Sequence, residues 1–154
     1  METDSPQTDP GLESLRQRRA ELRDSMAALE QALAAPAADP RGTWAQRVDV
    51  ALVELSADIR AHIDITEGPE GLYPGLLATA PRLSSTVASL TREHVDIKGM
   101  ADELLNRMSH PIASTDVESV RDLATALLAK LSRHRQRGAD LVYEAYQTDI
   151  GGET

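Results

Sequence analysis

Apolar residues recur along this chain at alternating spacings of three and four, the pattern of one buried face of a helix. In the first such stretch Leu15, Leu22, Met26, Leu29 and Leu33 mark the stripe, and the position that would complete it holds Arg19. A second stripe runs Trp44, Val48, Ala51 or Leu52, Leu55, Ile59, His62 and Thr66. A third reads Leu83, Val87, Leu90, His94, Ile97, Ala101, Leu104 and Met108. The fourth reads Val120, Ala124, Leu127, Leu131, His134, Gly138 and Leu141.

The punctuation between stripes fits four helices. Asp9 is placed to N-cap the first, with Pro10 in its first turn, and Ala35-Pro36 ends it. Thr43 with Gln46 reads as a capping box for the second, which Gly68-Pro69 breaks. Leu72, Tyr73, Leu76 and Leu77 form a short apolar segment before Ala80-Pro81, where the third helix begins. Ser109-His110-Pro111 ends that helix, because the residue before a proline is pushed out of helical geometry. Thr115 with Glu118 offers a capping box for the fourth. Long helices with short connections predict an all-α fold, an up-down-up-down antiparallel four-helix bundle over residues 9–148. Residues 1–8 read as a disordered polar tail and 149–154 as a C-terminal tail.

Composition narrows the function. The chain has 154 residues, the size of one domain, and is 41% hydrophobic with 3% aromatic residues and no Phe, so its core is aliphatic. A net charge of −9 opposes nucleic acid and anionic membranes as partners. Cysteine is absent, which removes disulfides, thiolate metal sites and cysteine nucleophiles. The polar N-terminus lacks the basic and apolar regions of a signal peptide, and no apolar run approaches the roughly 20 residues of a membrane span. A cytoplasmic location is expected. Neither a glycine-rich phosphate loop nor a Ser-His-Asp arrangement with its supporting turn is found.

Three of the four histidines, His62, His94 and His134, sit on the apolar stripes of three different helices. Facing helices of a bundle bring such side chains together without rearranging the backbone, and imidazole with carboxylate suits non-haem iron. The structural alternative for each is a hydrogen-bonded core histidine. His110, before a proline in a loop, reads as solvated.

These residues carry a resemblance. His62 with a nearby acid and Leu72-Tyr73-Pro74, then Glu93-His94, then His134 with Asp140-Leu141-Val142-Tyr143, resemble the hemerythrin-like (HHE cation-binding) domains over roughly Leu15 to Tyr146. The segment HRQRGADLVYEAY is similar to that of actinobacterial members. The resemblance implies a di-iron centre in a four-helix bundle that binds or senses oxygen, peroxide or nitric oxide. It assigns iron-ligand roles to His62, His94 and His134, with Glu67 and Asp140 as the nearest acids, Glu70 as a spare, and Tyr73 and Tyr143 as nearby hydrogen-bond donors.

Four positions depart from the family pattern. Arg19 stands where the first helix usually carries a histidine, Lys98 one turn after His94, Thr66 where an acid follows His62, and Gly138-Ala139 where an acid follows His134. Glu67 and Asp140 lie five and six residues beyond their histidines, about 140° and 120° away around a regular helix. Reaching the same ion would require a bulge or unwinding at Gly68-Pro69 or Gly138. Two readings follow. A reduced site of three histidines and two displaced carboxylates, Glu67 and Asp140, holds iron and binds small ligands without turning over an organic substrate. Alternatively, this is a metal-free interaction or scaffold bundle in which Arg19 fills the old site and pairs with Glu67 or Asp140, or else reaches solvent along its stem. An oxygen-activating enzyme is the weaker third reading, because the Glu-x-x-His motifs of such bundles are missing.

Overall fold

The computed structural model describes residues 10–38, 42–111 and 116–151. Among these the chain is all-α: α1 spans Pro10–Ala34, α2 Thr43–Glu67, a short α3 Leu72–Thr79, α4 Ser84–Met108 and α5 Val117–Gly151, with one 3₁₀ turn at Pro81–Leu83 before α4. No strand occurs among the described residues. Asp9, the tail 1–8 and Thr115 lie outside them, while α5 continues through Gly151 into the segment read as a tail.

The four long helices form a ring of contacts, α1 on α2, α2 on α4, α4 on α5 and α5 on α1. Every apolar member of the predicted stripes from Leu15 through Leu104 is buried, as are Val120, Ala124, Leu127, Leu131 and Leu141. The hydrophobic spacing therefore located the core correctly, since burial of aliphatic surface is what drives these faces together. Met108, at the end of the third stripe, is only partly buried.

One capping expectation is corrected. Gly42, not Thr43, is the N-cap of α2, with no side-chain cap bond; the Gln46 amide donates to the Gly42 carbonyl at 3.3 Å. The far end behaves as the sequence predicts. α2 stops at Glu67, Gly68 is extended ahead of Pro69, and the Gly71 amide donates to the Gly68 carbonyl at 2.8 Å. A Cβ on Gly71 would lie 2.6 Å from the Thr66 carbonyl oxygen and 2.9 Å from that of Gly68, so this turn requires glycine for closeness of approach. The tight turn brings α3 back over the end of α2 and buries Tyr73 and Leu76.

At the other end Arg121 of α5 ties down the C-terminus of α1, donating from Nε to the Leu33 carbonyl and from Nη2 to the Ala35 carbonyl, each at 3.2 Å. Its guanidinium also lies 5.3 Å from the centre of the Trp44 ring. Carbonyls left over at a helix C-terminus thus receive a cationic donor.

The core is in two parts. The larger holds Leu22, Leu29, Leu55, Ile59, Ile97 and Leu131 among others, and the smaller holds Tyr73, Leu76, Leu83, Val87, Leu90 and Leu141. Along α4 the order is Leu90, His94, Ile97, and along α5 it is Leu131, His134, Leu141. The histidines form the polar layer between the two apolar parts.

Candidate metal centre

His62 of α2, His94 of α4 and His134 of α5 are 9%, 2% and 2% exposed. Each offers a ring nitrogen, and the three nitrogens lie within 4.8 Å of one another. The centroids are 5.1 Å apart for His62 and His94, 5.4 Å for His62 and His134, and 4.6 Å for His94 and His134. The sequence expectation that these stripe positions converge is met, and the cluster can hold a metal ion.

Carboxylates fix two of the rings from behind. The Nδ1 of His94 is 2.6 Å from Glu67 Oε2, and the Nδ1 of His134 is 2.8 Å from Glu93 Oε1. With Nδ1 donating its proton, each neutral imidazole turns the lone pair of Nε2 away from its carboxylate. The His94 Nε2 is buried without a hydrogen-bond partner, and so is the His62 Nδ1. His134 Nε2 meets His62 Nε2 at 3.3 Å. Two imidazoles about 2.1 Å from one ion in near-tetrahedral geometry hold their nitrogens roughly 3.4 Å apart. The separation and the orphaned lone pair of His94 Nε2 therefore fit one divalent ion.

Electrostatics point the same way. Burial lowers His62 from 6.5 to about 3, helped by His94, His134, Arg19 and Arg135. His94 is lowered to about 3 by burial and then by His134, and His134 to about 4 by burial and then by Lys130, although Glu67 and Glu93 on the Nδ1 atoms pull both upward. All three rings are neutral near pH 7, the state in which imidazole ligates metals. Burial, with Asp64 second, raises the Glu67 carboxyl.

The carboxylates differ from their expected places. α2 stays helical through Glu67, so no bulge turns that side chain toward His62; it reaches His94 on the neighbouring helix. Asp140 is not brought to the histidines. It is exposed on a continuous α5 and accepts from Gln136 Nε2 at 2.9 Å. Glu70 and Lys98 are also exposed. Thr66, buried at the position of the missing acid, donates to the His62 carbonyl at 2.9 Å.

Glu93 stands in the sequence reading only as the neighbour of His94, and its role toward His134 was not foreseen there. Its place immediately before His94 directs it toward α5, where it holds His134 and also pairs with Arg137. The usable signal was an acid at the flank of an apolar stripe, facing the helix that carries the next histidine.

Tyr73 stacks on His94, with centroids 5.8 Å apart and planes 9° from parallel. Burial pushes its phenol up to about 12, against the pull of a hydrogen bond with Thr66. Tyr143, expected nearby, is 65% exposed and does not join the site.

A cavity of about 20 Å³ adjoins His62 and His134, large enough for one water-sized guest. Leu15, Leu22, Leu72 and Val142 make much of its wall, with Arg19 and Arg135 as its charged members. Arg19 does not pair with Glu67 or Asp140, whose partners are His94 and Gln136. Comparison with known proteins gave no match to any family model, curated protein or solved structure.

Proposed function

We propose that this chain is a hemerythrin-like, non-haem iron-binding bundle of up-down-up-down order that binds or senses oxygen, peroxide or nitric oxide. The single observation carrying the reading is the convergence of three neutral imidazoles, two of them held by carboxylates on Nδ1 and one of those with a buried, unpartnered Nε2. The ring of contacts among α1, α2, α4 and α5 supports the bundle order. His62, His94 and His134 would hold the ion, with Glu67 and Glu93 orienting the rings and raising their basicity. Bound iron would supply Lewis acidity and one-electron redox chemistry at open coordination positions. The surrounding residues define the rest: an aliphatic wall excludes water, Tyr73 holds the plane of His94, and the cavity limits a guest to small size.

The donor set favours one ion over two. Glu67 and Glu93 are committed to Nδ1 atoms, while Asp140 and Glu70 are exposed, so among the described residues no carboxylate near the rings is left to bridge a pair. The reading is tested by anaerobic ferrous loading of chelator-stripped protein, followed by iron analysis and ultraviolet-visible spectra. One iron per chain is expected, lost in His62→Ala and in His134→Ala. No uptake by the wild type would sink it.

A second reading, a metal-free interaction bundle, is favoured by the 3.3 Å contact between His62 and His134, which lets the rings satisfy each other. In that case alanine at His94 changes stability and no spectroscopic property.

A further inference from the structure

Arg19 and Arg135 stand side by side on the wall of one cavity although the chain carries 25 acidic residues to 16 basic ones. Among the described residues neither side chain has an ion-pair partner, and the Arg135 Nε is buried with no hydrogen bond. Arg23 adds a third positive charge near Arg135. Like charges held together beside an apolar wall, with no acid among them, are destabilising unless something negative joins them.

We propose that Arg19 and Arg135 form a binding site for a small, planar oxyanion in the mouth of the cavity beside His62. A guanidinium offers a flat fork of N–H donors that matches two oxygens in one plane, and such charge-assisted pairs are strong where water is excluded. The cavity sets the size. Its inner space takes one water-sized group, so a single oxygen of an anion of the formate, nitrite or bicarbonate class seats beside Leu15, Leu22, Leu72 and Val142 while the rest stays at the mouth with the arginines. His62 and His134 face the same space, and an imidazole adds no negative charge to oppose the anion. The site goes beyond the iron reading and does not depend on it, since neither arginine is among the residues that would hold the ion.

The test is a titration of full-length, chelator-stripped protein with ¹³C-formate, read by formate line width and by histidine Cε1–H shifts, with formamide as the uncharged analogue of the same shape. Saturable binding is expected, weakened by added chloride and absent for formamide. Arg19→Gln and Arg135→Gln should each weaken it at least about tenfold, and Arg19→Lys should retain part of it. Circular dichroism melting confirms that each variant folds. If a glutamine variant does not fold, the wild-type contrast between formate and formamide still decides. No saturable effect of formate, equal binding of formamide, or unchanged affinity in both folded glutamine variants would overturn the proposal. Iron analysis of the same protein separates the two conclusions. Iron uptake without formate binding overturns the anion site alone, whereas formate binding without iron uptake supports it and removes the iron reading.

Discussion

Glu67 ends α2 and accepts a hydrogen bond at 2.6 Å from His94 on α4, not from His62 on its own helix. A carboxylate that helical phase excludes from one histidine is thereby delivered to another. Its role is to orient a ring from behind.

That role sets the first prediction. Glu67→Gln leaves a weaker acceptor at Nδ1, and the affinity for a divalent ion should fall about 10- to 100-fold with His94 still present. Glu93→Gln should act similarly through His134. Competition against a fluorescent chelator measures both. An unchanged affinity in each would remove the orienting role.

Stability should depend on pH through the same rings. Their folded-state values of about 3, 3 and 4 lie below the unfolded 6.5, so between those limits the unfolded chain binds more protons. Their contribution is complete above 6.5 and is lost as pH falls toward the folded values. Each ring adds a slope of about 1.4 kcal/mol per pH unit, approaching about 4 for the three together. Urea unfolding of metal-free protein at pH 7, 6 and 5 should give steadily lower midpoints. A flat profile over that range would contradict the neutral, buried cluster.

His94→Leu separates stability from metal binding. It removes a buried imidazole whose Nε2 has no partner and fills the gap between Leu90 and Ile97 with an apolar side chain, while Glu67, which loses the Nδ1 donor, is partly exposed and can turn to water. Metal-free protein should become equally or more stable, by up to about 2 kcal/mol, while metal uptake disappears. Thermal melts with and without added metal read both effects. Loss of stability alone would assign His94 a purely structural place.

The turn after α2 gives the fourth test. Gly71→Ala puts a methyl group 2.6 Å from a backbone oxygen, and overpacking against backbone costs about 1–3 kcal/mol. Because Tyr73 follows directly, the variant should also weaken metal affinity. Gly138→Ala is the control: nothing lies within 4 Å of its Cβ, and a helix gains from the exchange. If both substitutions had the same effect on melting, the close approach at Gly71 would not matter.

Arg121→Met removes the cationic donor from the end of α1 and its contact with Trp44. A loss of about 1–2 kcal/mol is expected, with metal affinity unchanged. Coupled loss of both would mean that the two ends of the molecule communicate.

The helices, their stripes and the three converging histidines were legible because each depends on the periodicity of a single segment. The end of α2 at Gly68-Pro69 was legible for a local reason too, the constraint a proline places on the residue before it. Partners across helices were not. Glu67 and Asp140 were weighed against the histidine on their own helix, where phase is decisive, yet Glu67 acts on α4 and Asp140 stays on the surface with Gln136. Glu93 shows the same gap, since its value lies in α5 packing beside it. Thr43 illustrates another limit: a capping pattern is short, and one glycine earlier in the chain displaced it.

Among the described residues the histidine layer also interrupts the hydrophobic spine. The smaller apolar part relies on α3, eight residues held by a glycine turn, whereas the larger is bounded by four long helices. Its opening free energy is accordingly the lower of the two. Amide hydrogens of Leu76 and Leu77 should exchange with solvent well before those of Leu55 and Leu127.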